Sequence, residues 1–168
     1  LPIYPYAAEE TLRVEGTVTF RNYHEYFLVI FLTDGCISHS NENQKTVISS
    51  GDVLIVPPGA SVARSEVRQH KYLIGLEGCQ IEQLFSAFKL NGYFKFKADI
   101  PEMVKIHQRL FRNMRRKHFS VMPSLIGDCM ELLAMLSLSA KDKGPPVRPQ
   151  IADQIRSTLE AECDNPRS

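Results

Sequence analysis

The sequence predicts a mainly β protein with α-helices added towards its C-terminal side: an antiparallel barrel or sandwich followed by a helical pair. Three observations predict it. Short β-branched and aromatic runs recur at roughly ten-residue spacing up to about residue 78, separated by turn residues, which is the pattern of hairpins rather than of alternating strand and helix. One of them, Gly51 to Ala60 ("GDVLIVPPGA"), sets consecutive apolar residues between a Gly-Asp turn and a Pro-Pro-Gly corner, the mark of a strand buried on both faces. Past Gly78 the apolar spacing changes to that of helices.

The leader "LPIYPYAAEE" holds Pro2 and Pro5, so it is no helix and a poor central strand. It reads either as an arm folded over the barrel or as a loose terminus. "TLRVEGTVTF" alternates, and "EYFLVIFL" is a continuous apolar run. "TDGC" turns the chain, "SHSNENQK" is a polar hairpin tip, and "TVISS" leads back to Gly51. After Pro57-Pro58-Gly59, "SVARSEV" alternates, "RQH" turns and "KYLIGL" is another strand.

"QIEQLFSAF" spaces Ile81, Leu84, Phe85 and Phe88 as a short closing helix, and "LNGYFKFKAD" is a loop or edge strand. From Pro101 a helix carries Met103, Ile106, Leu110, Phe111 and Met114 in one stripe. A second follows Ser120, with Leu125, Ile126, Cys129, Met130, Leu132, Leu133 and Leu136 making an apolar surface wider than one neighbouring helix covers. "KDKGPPVRP" cannot continue a helix and reads as a linker, and "QIADQIRSTLEAE" begins a new amphipathic helix. The predicted units are thus 1–90 (barrel with leader and closing helix), 91–143 (helical segment), 144–149 (linker) and 150–168 (first helix of another domain).

The 168 residues are 43% hydrophobic and 23% charged, and a formal net charge of +1 sets up no overall field towards nucleic acid or membrane. No apolar run reaches the length of a membrane span and no secretory leader pattern opens the chain, which places the protein in the cytoplasm, without a membrane partner. Cys36, Cys79, Cys129 and Cys163 form no C-x-x-C pair and read as reduced residues. Lys105, Arg109, Arg112 and Arg116 make a basic stripe that reads as a solvated helix face. The chain starts at Leu1 without methionine and stops in "CDNPRS", which reads as a piece of a longer protein.

Gly51 to Gly59 fits G-x5-P-x-G and so resembles the second conserved motif of the cupin fold, a double-stranded β-helix with a central pocket. Metal-dependent cupins place a histidine three residues beyond the motif's last glycine, where this chain has Val62, and His24 and His39 are single. Three or four ligands at the expected places are missing, so no metal, no cofactor and no catalysis is expected. The run "YFLVIFLTDGCISHSNENQKTVISSGDVLIVPPGASV", then "KYLIGLEG", a helical pair, a linker and "IADQIRSTLEAE", resembles the regulatory half of AraC-type transcription factors. That resemblance implies a metal-free barrel that binds a small effector, often a sugar, a dimerising helical pair, and a DNA-binding helix-turn-helix domain of which 150–168 would be the start. The alternatives are a metal-dependent cupin enzyme (a sugar isomerase or dioxygenase) and a free-standing carbohydrate-binding module.

On this reading the effector-binding candidates are Tyr4 and Tyr6 of the leader, Arg21 ahead of the apolar strand, Arg64 after the corner, and residues of "KYLIGL". A guanidinium suits hydroxyl or carboxylate recognition. Lys71, Leu73 and Gly75 share one face of that strand, and Tyr72, Ile74 and Leu76 the other. Alternation leaves open which set faces the pocket, so Lys71, Tyr72 and Leu73 all stand as candidates. The homodimer interface is assigned to Leu125, Cys129, Leu132, Leu133 and Leu136.

Overall fold

The computed structural model describes residues 1–13, 18–65, 68–116 and 119–141; the side chains at 18, 20–22 and 119 also stand outside the description. The predicted linker, the helix over 150–168 and Cys163 lie outside the described residues. Nine strands are described: β1 (Tyr4–Arg13), β2 (Val18–His24), β3 (Phe27–Asp34), β4 (Cys36–Asn41), β5 (Lys45–Ser49), β6 (Asp52–Val56), β7 (Gly59–Ser65), β8 (Gln69–Glu77) and β9 (Phe94–Lys97). Three helices accompany them: α1 (Ile81–Ala87), α2 (Ile100–Met114) and α3 (Met122–Lys141). The strands form a five-stranded antiparallel sheet, β1-β8-β3-β6-β9, and a four-stranded one, β2-β7-β4-β5. Of the barrel or sandwich that the sequence predicts, the strands form an open version: the two sheets face each other without joining at their edges.

The "GDVLIVPPGA" stretch behaves as its pattern predicts. All five residues of β6 are buried, Val53 and Ile55 in one core, Leu54 and Val56 in another. Gly51, at φ +91°, makes the entering turn. Asp52 holds that turn: its Oδ2 accepts from Ser49 N at 2.9 Å, and Lys97 Nζ lies 2.7 Å from Oδ1. The Asp is a structural clamp rather than a reactive group.

β3 divides in the same way. Leu28, Ile30 and Leu32 meet Ile37 and Ile48 of the second sheet, while Phe27, Val29 and Phe31 turn to the helices. α1 lays Phe85 on Phe27, ring centroids 4.2 Å apart. α2 starts at an N-cap, Asp99, whose carboxylate accepts from Glu102 N at 3.2 Å. It buries Ile100, Met103, Ile106, His107 and Leu110, whereas Phe111, expected in the stripe, is 45% exposed.

The dimer assignment is corrected here. Leu125, Cys129, Leu132, Leu133 and Leu136 are buried in the chain's own core, against α2 and the back of the five-stranded sheet, and present no surface to a second copy. The α3 helix is also the one described helix long and apolar enough to cross a membrane by length and composition, where the sequence reading found no such run.

The leader is neither an arm nor a loose end. β1 pairs along its whole length with β8, as an edge strand where Pro5 is tolerated, with an irregularity that sets Tyr6 out of register. Cys79 N donates to Leu1 O and Gln80 N to Pro2 O. The chain passes so close at Gly78 that a Cβ there would stand 2.4 Å from the Pro2 carbonyl. Cys79 and Cys129 are free thiols, as expected; Cys36 is not, being disulfide-bonded.

Candidate functional site

Alternation along β8 decides the question that the sequence left open. Tyr72, Ile74 and Leu76 lie in the core beneath the helices, whereas Leu73 packs against the inter-sheet cluster. Lys71, Leu73 and Gly75 therefore face the second sheet, together with their β1 partners Thr11, Glu9 and Ala7. From the opposite side come His39 and Ile37 on β4, Ser61 and Ser65 on β7, and His24 at the end of β2. The inner face is apolar on the β3, β6 and β5 side and polar towards β1 and β2, the edges of the two sheets.

Two buried histidines stand on the polar side. His39 is 2% exposed, and burial, with repulsion from His24 and Lys71, pushes its pKa down to about 4. Tyr93 Oη donates its one hydrogen to His39 O at 2.9 Å and so accepts from His39 Nδ1 at 3.0 Å. The lone pair of the neutral ring is then on Nε2. His24 Nδ1 lies 2.8 Å from Tyr26 O, a group that can only accept, so His24 donates there. Its Nε2 is buried and without a hydrogen-bond partner. Lys71 is half-buried, and burial lowers its pKa, with Glu9 opposing and Arg13 assisting. An inner face holding imidazole lone pairs, an ammonium and a carboxylate suits a small polar ligand that both donates and accepts.

Among the described residues no group of three or more His, Cys, Asp or Glu side chains is arranged to hold a metal ion. Val62, at the position where metal-dependent cupins carry histidine, shares a face of β7 with exposed Arg64, opposite the buried Ser61 and Ser65.

The other sequence candidates divide. Tyr4 and Tyr6 reach the inner face at its open end. Tyr4 Oη donates to Glu77 Oε1, which raises its pKa, and the Tyr6 ring stacks on Tyr26 at 4.5 Å. Lys71 and Leu73 are on the inner face. Tyr72 is corrected: it lies under the helices, stacked on Phe31 at 5.1 Å and edge-on to His107 at 4.9 Å, with burial pushing its pKa up to about 12. Arg64 is corrected too, since it is exposed on the outer face of the four-stranded sheet. Arg21 pairs with Val62, and its side chain lies outside the described residues. Sequence reasoning missed Glu9, Tyr26, Glu77 and Tyr93. Glu9 had no signal, since Glu9 and Glu10 are adjacent acids and only pairing with β8 tells which of them is inside.

No family model and no curated protein matches the chain. Solved structures do. The AraC-like transcriptional activator CuxR superposes with a TM-score of 0.54 at 10% identity, over 96% of this chain and 63% of that one. A cupin superfamily protein from Desulfitobacterium hafniense gives 0.34 at 14% identity, over 44% of this chain and 80% of that one. An RmlC-like cupin with a double-stranded β-helix fold from Methanocaldococcus jannaschii gives 0.35 at 11%, over 46% and 72%. The chain spans less than two thirds of the length of CuxR. The likeness to CuxR, at 10% identity, is one of fold: facing antiparallel sheets followed by a helical pair, the mainly β arrangement with added helices that the sequence predicts, its sheets open at the edges.

Proposed function

We propose that this chain is the effector-sensing part of an AraC-type transcriptional regulator: a small metabolite, with sugars the first class to test, binds the polar inner face, and occupancy is passed to the helices. The reading makes the protein a cytoplasmic sensor rather than an enzyme, with DNA bound by a helix-turn-helix domain of the longer protein, which acts as a homodimer. The observation that carries it is that the likeness to CuxR extends over 96% of the chain, sheets and helical pair alike.

The route from ligand to helices has a physical basis. Glu9 and Leu73 form one rung of the β1–β8 ladder and share the inner face. On the other side of the sheet His107 of α2 donates from Nε2 to Glu9 O at 2.8 Å. A ligand that moves this rung moves α2, and it shifts the equilibrium by no more than its differential affinity for the two arrangements.

A thermal-unfolding screen of soluble metabolites is expected to find a compound that raises Tm saturably, by a stabilisation of about 2.7 kcal/mol at a hundredfold excess over Kd. Lys71→Met is expected to lose the shift and Arg64→Ala to keep it. Release of a product from the bound compound, or a broad screen without any shift, overturns the sensor reading.

A further inference from the structure

At the end of the inner face that Tyr6 reaches, the chain closes over itself. β2 and β3 belong to different sheets and are joined by Glu25 and Tyr26 alone, so this short bend spans the gap between the layers. The Tyr26 ring turns inward, where it packs, like Leu73, against the inter-sheet cluster. Gly75 is its seat: a Cβ there would stand 2.8 Å from the ring, so only glycine lets the ring lie against β8. From within, His24 Nδ1 donates to Tyr26 O at 2.8 Å and holds the bend. From outside, the Tyr6 ring stacks on Tyr26 with centroids 4.5 Å apart.

The three rings form a graded series from core to solvent. His24 is 2% exposed with its Nε2 buried, Tyr26 is half-buried, and Tyr6 is 55% exposed on the edge strand, at the irregularity that takes it out of register. Tyr26 therefore stands between solvent and His24. Tyr23, three positions earlier, is 70% exposed, so the shielding belongs to the Tyr26 ring and not to the bend as a whole. Stacking and apolar contact hold that ring, and both can be given up by a side-chain swing that leaves the backbone of the bend in place.

We propose that Tyr26 is a stopper of the inner face: its ring on Gly75 closes this end, and access to His24 and the groups behind it opens when the ring swings out past Tyr6. The use of such a stopper rests on the sensor reading, since a ligand of the inner face enters by this end. Its existence rests on packing alone.

The test applies two reagents to the whole chain, diethyl pyrocarbonate for imidazoles and tetranitromethane for tyrosines, and reads the rate at each position by peptide mass spectrometry. In the unaltered protein Tyr23 is expected to be nitrated about tenfold faster than Tyr26, and His24 to react about tenfold slower than free N-acetylhistidine, because reaction waits on local opening. Tyr26→Ala is expected to raise the His24 rate about tenfold and Tyr26→Phe to keep it within about twofold, since a ring fills the seat in both the phenylalanine variant and the parent. His107, on the other side of the sheet, is expected to stay unreactive. Gly75 has an ordinary φ, so Gly75→Ala is tolerated by the backbone and evicts the ring instead. It is expected to raise Tyr26 nitration and His24 reaction about threefold each, and Tyr6→Ala to do the same. Equal nitration of Tyr23 and Tyr26 in the unaltered protein, a His24 rate unmoved by both Tyr26→Ala and Gly75→Ala, or a rise of His107 alongside His24 in both variants overturns the assignment. No ligand takes part, so any of these leaves the sensor reading standing, and a failed metabolite screen leaves the stopper standing.

Discussion

His39 shows what a single buried polar residue does to this protein. The unfolded chain takes up its proton near the ordinary value of 6.5, the folded chain only near 4, because burial disfavours the charged ring and His24 and Lys71 add repulsion. Between those values the unfolded state holds more protons. The stability contributed by the neutral ring is therefore complete above about pH 6.5 and is lost as pH falls towards 4, by roughly 3 kcal/mol at the bottom of the window. His107, whose pKa is also lowered chiefly by burial, adds in the same direction. Urea unfolding at pH 7.0, 5.5 and 4.5 is expected to show this loss, and His39→Gln, which keeps a donor for Tyr93, is expected to flatten it. An unchanged slope in the variant would place the acid sensitivity elsewhere.

Among the elements, the leader and α3 show where sequence reasoning ran out. Pro2 and Pro5 argued against a central strand, and β1 is indeed at an edge; the partner was not legible, because pairing with β8 joins residues 56 to 73 positions apart, from Arg13 with Gln69 to Tyr4 with Glu77. In α3 the wide apolar surface was legible and its cover was not. Yet the continuous runs of β3 and β6 already required a second layer, since strands buried on both faces need something on each side. The α2 and α3 helices are that layer, and Phe31, Ile55 and Leu132 meet in one core. Leu132→Ala is accordingly expected to cost about 2–5 kcal/mol of stability, as truncation of a fully buried leucine does, with the mass seen in sedimentation unchanged. Dissociation of an oligomer without loss of Tm would restore the seam. Gly78→Ala is expected to be costlier than most surface changes, at about 1–3 kcal/mol, since its φ of +150° disfavours a side chain and the Cβ would meet backbone. Hydrogen exchange should then show β1 opening before β3; uniform protection across both strands would contradict the clamp.

For the molecule as a whole, the boundary read near residue 90 marks a change of periodicity and not a division of the core. The site was legible only in part for a related reason. "KYLIGL" gave two faces, and which is inner depends on what lies behind the sheet, a matter settled by residues some thirty to forty positions further on such as Ile106 and Leu110. One cluster runs from Ile3 through Phe31 and Tyr72 to Leu136, so the back of the five-stranded sheet is covered only when the helices are present. A chain cut after residue 90 would keep α1 on Phe27 but uncover Val29, Phe31, Val53, Ile55, Tyr72 and Ile74 together, a contiguous apolar surface of a kind that soluble domains seldom expose. Such a fragment is expected to aggregate or to bind a hydrophobic dye without a cooperative melt, while residues 1–141 unfold in one transition by fluorescence and circular dichroism alike. Two separate transitions in the longer chain, or a fragment of 90 residues that melts cooperatively as a soluble monomer, would mean that the strands carry their own core and that occupancy of the inner face has no packed route to α2.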